Sequence, residues 1–132
     1  MCGIFGFNTS EKVEFSKFNA IRNDVTSLTK LSKARGSDTF GILIYSQDKN
    51  FIYKINAEPS KALKRKDYKI FLENISSNIK NEKFENFGLI GQTRLVTNGT
   101  KFLHSNNQPI ITKEIFGVHN GIIIDSKNYK NG

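Results

Sequence analysis

Apolar residues at Phe15, Phe18, Ile21, Val25, Leu28 and Leu31 recur at intervals of three and four. That spacing predicts an amphipathic helix from about Ser16 to Ala34, ending before Gly36. Ahead of it, Gly3 to Asn8 is a short apolar run closed by the polar Thr9-Ser10-Glu11, which predicts a strand. After Gly36-Ser37-Asp38, the runs Phe40 to Tyr45 and Phe51 to Ile55 flank Gln47-Asp48-Lys49-Asn50, a strand, turn and strand. Pro59 opens a helical region reaching about Lys80, with Leu63, Ile70, Phe71 and Ile75 as its apolar face. Ser76-Ser77-Asn78 weakens its end. Two further strands, Phe87 to Thr93 and Ile115 to His119, are separated by a loop from Thr97 to Pro109. The turn dipeptide Asn120-Gly121 then leads into the apolar run Ile122-Ile123-Ile124.

Strands and helices mixed in this order make an α+β chain, and 132 residues suit one hydrophobic core rather than two domains. An apolar run so close to Gly132, with no helix after it to cover the sheet, makes the domain read as incomplete at its carboxyl end. Eleven Phe within a 37% hydrophobic composition fit a packed core and argue against disorder. One cysteine excludes an internal disulfide, and two histidines, His104 and His119, do not make a zinc constellation, so no structural metal is expected. No apolar run approaches the roughly 18 residues of a membrane span and no leader precedes Cys2, which makes the cytoplasm the expected location. The net charge of +8 admits an acidic partner. Its densest stretch, Lys61 to Lys66, reads better as the solvated side of a helix than as a nucleic-acid surface.

Candidate chemistry begins at Cys2, directly behind Met1. Removal of Met1 puts a thiol, with a reference pKa near about 8.5, on the same residue as an α-amine titrating near roughly 7.7–8.0. Nucleophile and base would then share one residue. Attack of a thiolate on an amide creates an oxyanion that needs two convergent donors, and an Asn side chain beside a Gly N–H can supply them. Asn120 and Gly121 fit that need, although Asn-Gly is also an ordinary hairpin turn. Arg94, at the end of a strand, can grip a carboxylate with two parallel hydrogen bonds or form a surface salt bridge. Thr97 and Asn98 carry the hydroxyl and amide to complete such a loop, or serve only as turn residues. Arg35 and Asp38 suit support of the loop above the nucleophile, as an ion pair or as solvated groups. His119 could form a Cys-His pair, but alternation points it away from Asn120 and favours packing or hydrogen bonding.

Taken in order, Met1-Cys2-Gly3-Ile4-Phe5-Gly6, Arg35-Gly36-Ser37-Asp38, the stretch from Gly91 to Gly99, Asn107-Gln108-Pro109 and His119-Asn120-Gly121-Ile122-Ile123 resemble the class II glutamine amidotransferase domain. This is the glutaminase half of enzymes such as glucosamine-6-phosphate synthase and asparagine synthetase. The resemblance covers nearly the whole chain and implies the amino-terminal nucleophile hydrolase fold, a four-layer αββα sandwich with mainly antiparallel sheets, of which residues 1–132 would be the amino-terminal portion. It implies that Cys2 attacks the side-chain amide of L-glutamine, that Asn120 and Gly121 form the oxyanion hole, and that Arg94, Thr97 and Asn98 hold the substrate carboxylate. It also implies that the half reaction needs no metal or organic cofactor and that released ammonia passes to a synthase domain or subunit. Two positions depart from the pattern. Asn98 stands where relatives of glucosamine-6-phosphate synthase carry His, and Asp125 is too close to Asn120-Gly121 to be the Asp that holds the glutamine amine.

Other readings remain open on sequence alone. One is an amino-terminal nucleophile amidase acting on a different amide. Another is a basic binding module built on Lys61 to Lys66. A third is an inactive remnant whose exposed sheet edge would favour a homo-oligomer.

Overall fold

The computed structural model describes residues 2–81, 84–96, 107–113 and 115–121. In chain order the elements are β1 (Gly3–Thr9), α1 (Phe15–Ser32), β2 (Thr39–Tyr45), β3 (Asn50–Ile55), α2 (Pro59–Ala62), α3 (Lys66–Asn81), β4 (Phe87–Arg94), β5 (Ile110–Ile111) and β6 (Phe116–Gly117). The first four strands form one antiparallel sheet in the order β1-β4-β2-β3, and β5 and β6 pair in a second, small antiparallel sheet. This is the mixed helix and antiparallel sheet architecture that the hydrophobic pattern predicts.

Strand alternation sorts the large sheet into two faces. Phe5, Phe40, Ile42, Ile44, Phe87 and Leu89 meet the helices, joining Phe18, Ile21 and Val25 of α1 and Tyr68, Leu72, Ile75 and Ile79 of α3 in one core. Each fully buried side chain of this kind contributes roughly 1.5–3 kcal/mol relative to exposure. Phe18, Phe40, Phe84 and Phe87 are all at or below 1% exposure, so the phenylalanine-rich composition is spent mainly in this layer. The opposite face carries Gly41, Leu43 and Tyr45 of β2 with Gln92 and Arg94 of β4. Phe116 of β6 packs on Tyr45 there, ring centroids 4.9 Å apart.

Several sequence expectations change in the structure. The buried stripe of α1 is Phe18, Ile21, Val25 and Thr29, leaving Leu31 at 72% exposure, because Thr29 takes the i+4 place after Val25 and Leu31 lies about 200° further round the helix. The helical region after Pro59 is two helices. Lys64 and Arg65 close tight turns onto Lys61 and Ala62, and Arg65 clasps Asp67 with Nε and Nη2, starting α3 afresh at Lys66. Ile70 is 46% exposed because the face meeting the sheet is Tyr68, Leu72, Ile75 and Ile79. The helix α3 runs on through Ser76-Ser77-Asn78 to Asn81, and the Ser76 hydroxyl donates to the Leu72 carbonyl at 2.9 Å. The strand expected from Ile115 to His119 is only Phe116–Gly117, and its partner β5 was not foreseen. Thr97, Asn98, Asp125 and the run Ile122-Ile123-Ile124 lie outside the described residues.

Candidate active site

The register of β1 against β4 places Gly3 opposite Thr93, so Cys2 stands at the same end of the sheet as Arg94. Two close approaches fix this end. A Cβ on Gly3 would lie 2.7 Å from Ser32 Cβ, Ser32 O and Thr93 Oγ1 alike, so only glycine lets the end of α1 approach β1 here. Thr93 Oγ1 donates to the Ser32 carbonyl at 2.7 Å, satisfying one of the acceptors that a helix end leaves free. On the far side of β4, a Cβ on Gly36 would come within 2.4 Å of the Thr93 carbonyl, so the Arg35 to Asp38 turn lies flat on the strand end. Asp38 completes the staple. Its N–H donates to the Arg94 carbonyl at 2.9 Å, and its Oδ2 accepts from Val96 N–H at 2.8 Å.

The second wall of the site comes from the other end of the chain. Gln108 clasps the His119 backbone from both sides, accepting from its N–H through Oε1 and donating through Nε2 to its carbonyl at 3.2 Å. The buried Gln92 side chain donates to the same carbonyl at 2.8 Å. With His119 held three ways, Asn120 is set against Cys2, and the Cys2 main-chain nitrogen donates to Asn120 Oδ1 at 2.9 Å across 118 residues of sequence. Gly121 follows in the same exposed stretch. Cys2, Ile4, Leu31, Ser32, Arg35 and Asn120 line an open cavity of about 410 Å³, within the size range of small-molecule sites. Cys2 is half-buried.

The structure therefore brings together Cys2, Asn120 and Arg35, three residues singled out in the sequence. Asp38 holds the neighbouring loop. Arg94 does not line the cavity; its Nη1 donates to Asn107 Oδ1 at 3.3 Å. His119 takes part through its backbone, not as a partner of the thiol. Among the described residues no group of three or more His, Cys, Asp or Glu could hold a metal ion, and no helix is long and apolar enough to cross a membrane.

Over 93% of its length the chain is 31% identical to glutamine–fructose-6-phosphate aminotransferase (isomerizing) of Helicobacter pylori. The match agrees with the ordered motifs. The chain is similar to a class II glutamine amidotransferase. It spans 17% of the length of that relative. No protein-family model and no solved structure matches the chain.

Sequence reasoning gave no role to Gln92, Gln108 or Gly41, which set the position of Asn120. Gly41 matters because a Cβ there would fall 1.8 Å from the Gln108 carbonyl oxygen. Gln92 left a faint trace in the sequence as a polar residue directly after the apolar run Phe87 to Gly91, on the face shared with Arg94.

Proposed function

We propose that residues 1–132 are a glutamine amidotransferase domain of the amino-terminal nucleophile type, the first portion of a four-layer αββα sandwich, with Cys2 as nucleophile. The observation that carries this reading is the Cys2 nitrogen on Asn120 Oδ1 at 2.9 Å. Once Met1 is removed, that nitrogen is an α-amine whose N–H remains on Asn120 while its lone pair accepts the thiol proton. Because Oδ1 of Asn120 is taken by the amine, Nδ2 is left to donate, with Gly121 N–H, to the oxyanion.

In the reaction, Cys2 Sγ attacks the side-chain carbonyl carbon of glutamine. The thiol proton passes by way of the amine to the departing nitrogen, and ammonia leaves as the carbon–nitrogen bond breaks. Water then attacks the γ-glutamyl thioester, the amine takes its proton, and glutamate leaves as the thiol is restored. Arg94, Thr97 and Asn98 hold the substrate α-carboxylate in this reading, and Arg35 and Asp38 support the loop over the nucleophile. Ammonia would pass to an acceptor domain or subunit, and the relative's name points to a sugar phosphate of the fructose 6-phosphate kind. A free catalytic thiol suits the reducing cytoplasm.

Intact-mass and peptide spectrometry after treatment with a glutamine-analogue diazoketone tests the reading. Loss of Met1 and a single adduct on Cys2, prevented by excess glutamine, is the expected result. An unlabelled Cys2, or labelling indifferent to glutamine, overturns it.

A further inference from the structure

A groove of about 380 Å³ runs between α1 and α3. Asn19, Arg22, Asn23 and Thr26 form its α1 wall at helical spacing i, i+3, i+4, i+7, a polar stripe beside the apolar one. Tyr68 and Lys69 face them from α3, and Leu63 and Leu72 complete the lining. No carboxylate lines the groove. Among the described residues neither Arg22 nor Lys69 forms an ion pair; the acidic partners recorded belong to Lys12, Lys17, Lys33 and Arg65. Arg22 is half-buried and close enough to Tyr68 for its charge to act on the phenol, which is itself only 3% exposed.

Two unneutralised cations together with two carboxamides and a phenol make a set rich in donors. It suits a small anion with many acceptor lone pairs on several sides, which describes a tetrahedral dianion better than a planar carboxylate. The chain's net charge of +8 would raise the local concentration of such a ligand. From Arg22 to Ser32, beside the Cys2 cavity, is ten residues of helix, about 15 Å along its axis.

We propose that this groove binds the phosphate group of a small molecule, held by Arg22 and Lys69 with Asn19, Asn23 and Tyr68 as neutral donors. The site does not depend on the glutaminase reading. Titration of the 132-residue chain with inorganic phosphate, glycerol phosphate and adenosine monophosphate, followed by backbone amide NMR, tests it.

The expected result is saturable one-site binding that shifts amides of Asn19 to Thr26 and Tyr68 to Leu72. Arg22→Gln and Lys69→Gln should each weaken it by about tenfold. Tighter binding of glycerol phosphate or of the nucleotide than of inorganic phosphate identifies the source of the group. Lys69 is exposed, so Lys69→Gln keeps the fold even where Arg22→Gln perturbs it, and Cys2→Ala should bind as the parent does. Linear, non-saturating shifts, displacement by equimolar chloride, or affinities unchanged in Lys69→Gln would each overturn the proposal.

Discussion

Gly41→Ala places a methyl group where the chain has no room for one. The new Cβ would stand 1.8 Å from the Gln108 carbonyl oxygen, 2.9 Å from its carbon and 3.1 Å from Pro109 Cδ. Ordinary van der Waals contact begins at 3.4 Å, so the Gln108-Pro109 segment must retreat by about 1.6 Å. The obstructing atoms are backbone and a proline ring, and none can rotate aside. Overpacking of this kind costs about 1–3 kcal/mol, which for a chain of this size lowers Tm by about 3–12 °C. The larger effect is on the site. Gln108 clasps His119, and His119 sets Asn120 against Cys2, so the retreat carries Asn120 away from Cys2. A misplacement near 1 Å can cost about 100-fold in rate. Thermal unfolding and the rate of Cys2 labelling by the diazoketone would be measured together. Gly117→Ala is the control, because an added Cβ there meets nothing within 4 Å. Parent-like labelling and Tm in Gly41→Ala, or equal losses in Gly117→Ala, would refute the argument.

On the proposed mechanism, in which Asn120 is an oxyanion donor, Asn120→Ala should slow glutamine-dependent ammonia release by about 10²–10³-fold, while Tm barely moves because Asn120 is exposed. Equal losses of stability and activity would deny it a direct role. Phe40→Ala removes a ring at 0% exposure that touches both Tyr53 and Tyr68, and should cost about 3–5 kcal/mol in denaturant unfolding. A loss under about 1 kcal/mol would mean that the core is not packed as described. Burial pushes the Tyr68 phenol from 10.0 up to about 12, with Arg22 opposing. The unfolded chain therefore releases this proton first. Stability should be intact below pH 10 and fall as pH rises toward about 12, an effect that Tyr68→Phe removes. Identical alkaline unfolding of parent and Tyr68→Phe would count against the burial.

The strands β1, β2, β3 and β4 and the helix α1 were legible in the sequence to within two residues, because each carries its own period of apolar positions and ends at a polar turn. The polar stripe Asn19, Arg22, Asn23 and Thr26 was not singled out in the sequence, and whether an acid faced it depended on α3, which packs there from more than forty residues away. The break between α2 and α3 was hidden because the helical pattern runs through it, and the fork of Arg65 on Asp67 is a choice between two good local structures. Strand β5, two residues long, is too short to show any period.

Of the site, the residue types were visible and their arrangement was not. Cys2, Asn120 and Arg35 could be nominated from the sequence because thiol, amide and guanidinium have limited chemical uses. Their meeting required β1 to pair with β4 and Gln108 to reach across Gly41, contacts between segments whose spacing along the chain carries no trace of their contact in space. Sequence alone determined which groups the chain carries and where β1 to β4 and α1 form, since those follow from local sterics and alternation. Only the tertiary structure decided that the Cys2 nitrogen rests on Asn120 and that Arg94 turns to Asn107, because each hydrogen bond depends on atoms brought together by packing.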